Sequence, residues 1–275
     1  MRIQLTALLS LLSLAALTGC GGSSSAPYIS DIQANQLAYA QTTQFNVMGE
    51  HLDSVMNVTA KGCKSFTTPS ASTSSGSTWN CVVAEVGAGA VSVQVSKSTG
   101  EVLFSKSFDV PNPQVKMVTN LGTLNIELNP TAVPVTSANF LQYVNDKFYD
   151  NTLIHRIVTR GIFVAQGGWL KPAPAIKPGL QAAIALEVGK GLSNVKGTIA
   201  MARSSDLNSA TSQFFFNLAD NTALDTANGG YAVFGKVISG SSVLDAMAVT
   251  PTSTQYGLND FPNQNVIVLS VTQTQ

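Results

Sequence analysis

The sequence predicts a mainly β protein: a small N-terminal β-sandwich followed by a closed antiparallel barrel capped at its ends by two helices. Three observations predict it. Between Tyr28 and Val110, apolar residues alternate with period two in short runs separated by turn residues. Pro111-Asn112-Pro113 then interrupts both helix and sheet, because proline lacks a backbone donor and restricts the residue before it. From residue 115 onward, strand-like runs and glycine turns return, and helical spacing occurs in only two places. The chain has 275 residues, 44% of them hydrophobic, enough for one large domain or two ordinary ones.

Residues 1–19 read as an export leader. Arg2 supplies a positive charge, and the apolar stretch from Ile3 to Leu17 is too short and too rich in Ser and Thr for a good membrane span. Leu17-Thr18-Gly19-Cys20 resembles the bacterial lipobox, in which the Cys20 thiol takes a diacylglyceryl group. The alternative is an ordinary signal peptide with a chance cysteine. Residues 20–27 contain Gly21-Gly22-Ser23-Ser24-Ser25 and form a flexible tether. Gly21, where an Asp would signal retention, resembles an outer-membrane address. The expected location is the bacterial cell envelope, lipid-anchored on the periplasmic face of the outer membrane.

Residues 28–110 form the sandwich. Phe45-Asn46-Val47-Met48 alternates, as does Val91-Ser92-Val93-Gln94-Val95; Val102-Leu103-Phe104 and Phe108-Asp109-Val110 follow the Ser98-Thr99-Gly100 turn. The run from Phe45 to Gly49, before His51-Leu52, loosely resembles Ig-like folds. Ser65–Thr78 is rich in Ser and Thr and is expected to be a mobile loop. With Cys20 set aside, two of the three cysteines remain, Cys63 and Cys81. In an oxidising compartment this even pair is expected to form a disulfide, contributing roughly 3 kcal/mol. Two buried free thiols are the alternative.

Residues 111–114 are the linker, and residues 115–275 form the second domain. Val115–Val118 and Leu121–Leu128 read as a hairpin. After Pro134, Thr136-Ser137 supply an N-cap for a helix in which Ala138, Leu141, Val144 and Phe140, Tyr143, Lys147 fall at helical spacing, with Phe140 and Leu141 making one apolar face. A second helix starts at Ser241-Ser242 and carries Val243, Leu244, Met247 and Ala248.

Several function classes are excluded or disfavoured. There are 15 basic and 15 acidic residues, so charge gives no reason to expect nucleic acid as a partner. Two histidines, His51 and His155, and three cysteines without close spacing do not make a metal site. Nucleophile-elbow, Walker A and dinucleotide signatures are missing.

Four motifs then stand in order: His155-Arg156 with Gln166-Gly167-Gly168; Gly197-Thr198-Ile199-Ala200-Met201-Ala202-Arg203; Ser212-Gln213-Phe214-Phe215-Phe216-Asn217; and Leu224-Asp225 with Tyr231-Ala232-Val233-Phe234-Gly235. Together they resemble the cyclophilins, peptidyl-prolyl cis/trans isomerases, and the bacterial periplasmic members most closely. The resemblance covers about residues 115–275. It implies an eight-stranded antiparallel barrel with an external substrate groove, and no cofactor.

The resemblance also implies site roles. Rotation about an X–Pro amide crosses a barrier of about 18–20 kcal/mol without breaking a bond. Twisting localises a lone pair on the prolyl nitrogen, and Arg156 is the implied donor to it, a cation that stays protonated and has a rigid fork. Gln166 is the second catalytic residue, holding the substrate carbonyl and orienting Arg156. The implied proline pocket is Phe163, Val164, Phe215 and Leu224, with Tyr231 at the rim; Ala202 and Arg203 offer backbone hydrogen bonds and Gln213 a side-chain one. The implied partners are proline-containing segments of unfolded or folding envelope proteins.

His155 is read as structural, because no proton is transferred and strand alternation turns it away from Arg156. Ala223 stands where many relatives have Trp, which is expected to weaken cyclosporin binding. Phe163 follows Arg156 at a spacing about two residues longer than in the family, and the extra residues are expected in the turn Thr159-Arg160-Gly161. A peptide-binding chaperone or scaffold with little turnover remains the alternative function.

Overall fold

The computed structural model describes residues 26–52, 56–68 and 73–275. The leader, Cys20 and most of the tether lie outside the described residues.

The first seven strands are β1 (Tyr28–Ala34), β2 (Thr42–Glu50), β3 (Met56–Lys61), β4 (Cys63–Thr67), β5 (Gly76–Val83), β6 (Gly87–Lys97) and β7 (Val102–Val110). They make a four-stranded sheet ordered β1-β2-β5-β4 and a three-stranded sheet ordered β3-β6-β7. The period-two patterns decide which faces meet. Phe45, Val47 and Cys81 from one sheet and Val91, Val93 and Val95 from the other share one buried core. Phe45 meets Phe108 edge to face at 5.0 Å. Cys63 and Cys81 are disulfide-bonded, with Cα atoms 5.4 Å apart on neighbouring strands.

The mobile-loop expectation for Ser65–Thr78 is corrected at its two ends; residues 69–72 lie outside the described residues. Ser65, Phe66 and Thr67 belong to β4, and Gly76, Ser77 and Thr78 to β5. β5 is paired along its length with β2, and Thr is a good strand residue, so Ser and Thr at these ends are compatible with regular strand.

After Pro113 come β8 (Gln114–Thr119), β9 (Gly122–Leu128), α1 (Pro134–Asn145), β10 (Thr152–Arg160), β11 (Ile162–Gly167), β12 (Leu170–Lys171), β13 (Ala175–Ile176), β14 (Thr198–Met201), β15 (Phe214–Asn217), β16 (Val233–Ser239), α2 (Ser241–Ala248), β17 (Thr252–Gln255), β18 (Leu258–Pro262) and β19 (Val266–Gln273). Eight of these strands close a barrel in the order β10-β11-β15-β14-β16-β9-β8-β19, every pairing antiparallel. Inward side chains such as Met117, Leu124, Ile126, Ile199, Phe214 and Phe234 fill it. Phe140, Leu141 and Val144 of α1 and Val243, Leu244 and Met247 of α2 join that same core. Among the described residues no helix is long and apolar enough to cross a membrane.

The cap of α1 differs from expectation. Pro134 occupies the first turn, and Thr136 and Ser137 are buried inside the helix. The free amides at the N-terminus are met by a residue distant in sequence. The Glu187 carboxylate accepts from Val135 N at 3.3 Å, Thr136 N at 2.7 Å and Thr136 Oγ1 at 2.8 Å. A carboxylate there also complements the positive end of the helix dipole. At the start of α2, Gly240 has φ +87°, and a Cβ would lie 2.0 Å from the Thr123 carbonyl oxygen, so only glycine fits.

Candidate active site

The β10–β11 hairpin places the first functional side chains. Its register pairs Arg156 with Gln166, Val158 with Val164 and Arg160 with Ile162. Cross-strand partners share a face, so these six side chains lie on one side of the hairpin. Phe214 and Phe216 of β15 point into the barrel core, and Phe215 between them points outward. Phe215 then packs with Val158, Val164, Ala200 and Val233 on the outer surface.

Over this apolar floor lies a cavity of 210 Å³, lined by Arg156, Ile162, Val164, Gln166, Ala202, Arg203, Phe215, Leu224 and Tyr231. The Arg156 guanidinium and the Gln166 amide stand side by side, Arg203 adds a second basic residue, and the rest of the lining is aliphatic and aromatic. The cavity can take a compact apolar group and present a fixed cation to its edge.

The cyclophilin type peptidyl-prolyl cis-trans isomerase family model matches residues 114–273, more than half of the chain. The chain belongs to this family. A peptidyl-prolyl cis-trans isomerase of Acinetobacter baylyi is 45% identical over 163 residues, which is 58% of this chain and 85% of that protein. Peptidyl-prolyl cis-trans isomerase B of Escherichia coli is 36% identical over 162 residues, covering 57% and 97%. The crystal structure of a cyclophilin type isomerase from Cryptosporidium parvum superposes with a TM-score of 0.51 at 26% identity, covering 60% of this chain and 98% of that one.

Two expected substrate-binding residues of this cyclophilin, Phe163 of the pocket and the hydrogen-bonding Gln213, do not line the cavity. Phe163 is 39% exposed and does not line the cavity. It alternates with Val164, so the two cannot share a wall; Ile162, which sequence reasoning passed over, takes the place. The backbone of Phe163 is anchored instead: its N–H donates to Asn221 Oδ1 and its carbonyl accepts from Asn221 Nδ2, both at 2.9 Å. The two extra residues also differ from expectation. The ladder continues to Arg160–Ile162 and turns at Gly161, φ +77°, so Thr159 and Arg160 belong to the paired strand rather than to the turn. Gln213 is not in the lining; its Oε1 accepts from Gln166 Nε2 at 2.9 Å.

Backbone donors are fewer than expected. The Ala202 N–H already donates to the Gln213 carbonyl at 2.9 Å, leaving the Ala202 carbonyl for a peptide. Arg203 is used through its side chain. Its guanidinium donates to the carbonyls of Ser204, Asn228 and Gly230 and lies 4.7 Å over the Tyr231 ring, which meets Phe215 edge-on. Arg203 therefore braces the rim that holds Tyr231.

A buried amide network missed at sequence level fixes the opposite rim. Asn221 Nδ2 donates to Asn217 Oδ1, Asn217 Nδ2 to Asn194 Oδ1, and Asn194 Nδ2 to Asp225 Oδ1. Burial would raise the Asp225 pKa, but hydrogen bonds from Ser193 and Asn194 outweigh it and hold the carboxyl below its ordinary value. Asp225 follows Leu224 on a 3-10 turn, Thr222–Asp225, which also carries the exposed Ala223.

His155 is buried, as a structural histidine should be, but not by facing away from Arg156. A bulge between Ile154 and Arg156 puts one extra residue in β10. Ile154 and Ile157 both reach the barrel core, so His155 and Arg156 fall between them on the outer side. The His155 ring meets Trp169 at 5.5 Å and 73°, beside the outer cluster of Leu153, Leu170 and Phe261. Burial lowers its pKa to about 4, with a backbone hydrogen bond at Leu153 opposing and the Arg156 charge adding to the drop.

Arg156 has one further contact. Its Nε lies 3.7 Å from Asp260 Oδ2 on β18.

Proposed function

We propose that this cyclophilin accelerates X–Pro rotation in folding periplasmic or outer-membrane proteins, with Arg156 donating to the prolyl nitrogen as the amide twists. The observation that carries this reading is the direct pairing of Arg156 and Gln166 above the apolar floor of Val164 and Phe215. A proline ring fits the floor, and a less polar surrounding favours the twisted amide over the more dipolar planar one. The cation meets a lone pair that barely exists in the planar amide, so its contribution is greatest at the transition state. Gln166 holds the substrate carbonyl, with its own amide fixed by Gln213. Val164, Ile162 and Leu224 grip the ring; Tyr231, braced by Arg203, borders it.

Refolding of a denatured protein limited by proline isomerisation tests this. The slow phase should shorten in proportion to added protein, and binding of the unfolded chain without shortening contradicts it. The envelope location rests on the lipobox-like Leu17-Thr18-Gly19-Cys20. A Cys20→Ala variant should move from the membrane fraction to the soluble fraction; unchanged fractionation contradicts the anchor.

A further inference from the structure

Asp260 stands where no motif called attention to it. The β17–β18 hairpin lies outside the barrel and is pinned by Phe261, which is 1% exposed and packs with Leu153 and Leu170. Leu153 belongs to β10, the strand that carries Arg156. The neighbouring Asp260 has φ +57°, a left-handed conformation that Asp and Asn tolerate far better than other non-glycine residues. The backbone thus fixes the carboxylate beside Arg156 Nε, at 3.7 Å, an ion-pair distance rather than a hydrogen bond. Both side chains are partly exposed, at 41% and 32%. Pairs of that kind add little to fold stability, so stability does not account for the arrangement.

We infer that Asp260 is a positioning residue for the isomerase reaction. Its carboxylate holds the Nε edge of the guanidinium, and the Nη edge is left to face the cavity. Among the described residues the Arg156 Nη atoms have no hydrogen-bond partner, so they are free to donate to a twisting amide. This rests on the reading of Arg156 as the donor. The pair joins two elements far apart in the chain, which makes orientation of the cation depend on the docking of β18 against β10.

A double-mutant cycle on the full chain tests it, with kcat and KM measured on an X–Pro peptide for wild type, Asp260→Asn, Arg156→Ala and the double variant. Asn keeps the size and the left-handed tolerance of Asp while removing the charge, and thermal melting of each variant checks that the fold is retained. The expected result is a fall in kcat of about five-fold for Asp260→Asn with KM little changed, and a further effect under about two-fold in the Arg156→Ala background. An equal loss in both backgrounds, or a loss in neither, overturns the assignment of Asp260. Failure of the underlying reading looks different: Arg156→Ala alone then retains full turnover, which overturns both.

Discussion

Arg156 on β10 and Gln166 on β11 are direct cross-strand partners, and the bulge at His155 is what sets them on the outer face of the barrel. Without the extra residue, Ile154 and Ile157 could not both reach the core, and the guanidinium would not stand over Phe215. The geometry of the candidate site is therefore a matter of strand register, and register errors have definite consequences.

The first concerns Ile162 and Phe163. Ile162 lines the cavity and Phe163 does not. Ile162→Ala should lower kcat/KM by about ten-fold, mainly through KM, because several methyl and methylene groups leave the proline floor. Phe163→Ala should leave kcat/KM within about two-fold. Steady-state kinetics on one X–Pro peptide decides between them, and the reverse order of effects would place Phe163 in the pocket.

The second concerns the Asn194–Asn217–Asn221 network. Asn194 is fully buried, and its side chain meets Asp225, Asn217 and the Tyr231 carbonyl. Asn194→Ala removes one buried partner from each of those groups and should destabilise the protein by about 2 kcal/mol in urea unfolding. It should also raise KM, since Leu224 and Tyr231 depend on the same segment. A change below about 0.5 kcal/mol would mean the network is not structural.

The third is a pH dependence. The folded protein holds His155 at about 4, against an ordinary 6.5. As pH falls the unfolded chain takes up this proton first. The stability from keeping His155 neutral is therefore complete above pH 6.5 and is lost as pH falls toward 4. The loss should reach about 2 kcal/mol at pH 5. Replacing the residue, His155→Gln, should flatten the unfolding free energy between pH 7 and pH 5 by that amount; parallel curves for the two proteins would contradict the assignment.

Much of this was legible in the sequence, and the rest was not for physical reasons. Alternation in Val91–Val95 and Phe214–Phe216 gave the buried faces directly, because strand period is a local property. Motif order gave Arg156, Gln166, Phe215 and Leu224, all of which meet at one cavity. The bulge at His155 was not legible, since an inserted residue looks like ordinary sequence until the partner strand is known. The same holds for Phe163: alternation with Val164 forbade both from one wall, but choosing Val164 required the register to Val158. Long-range partners were hidden altogether. Glu187 caps α1, Arg203 braces Tyr231 and Asp260 meets Arg156, and in each case the pair is made by the fold.

Arg156 is proposed to accelerate rotation by meeting the twisted amide. Comparing kcat and KM of wild type and Arg156→Ala on a single X–Pro peptide tests it most directly. The expected result is a fall in kcat of about a hundred-fold with KM changed by no more than about three-fold, as for loss of a donor aimed at the transition state. Retention of kcat within about two-fold would contradict it.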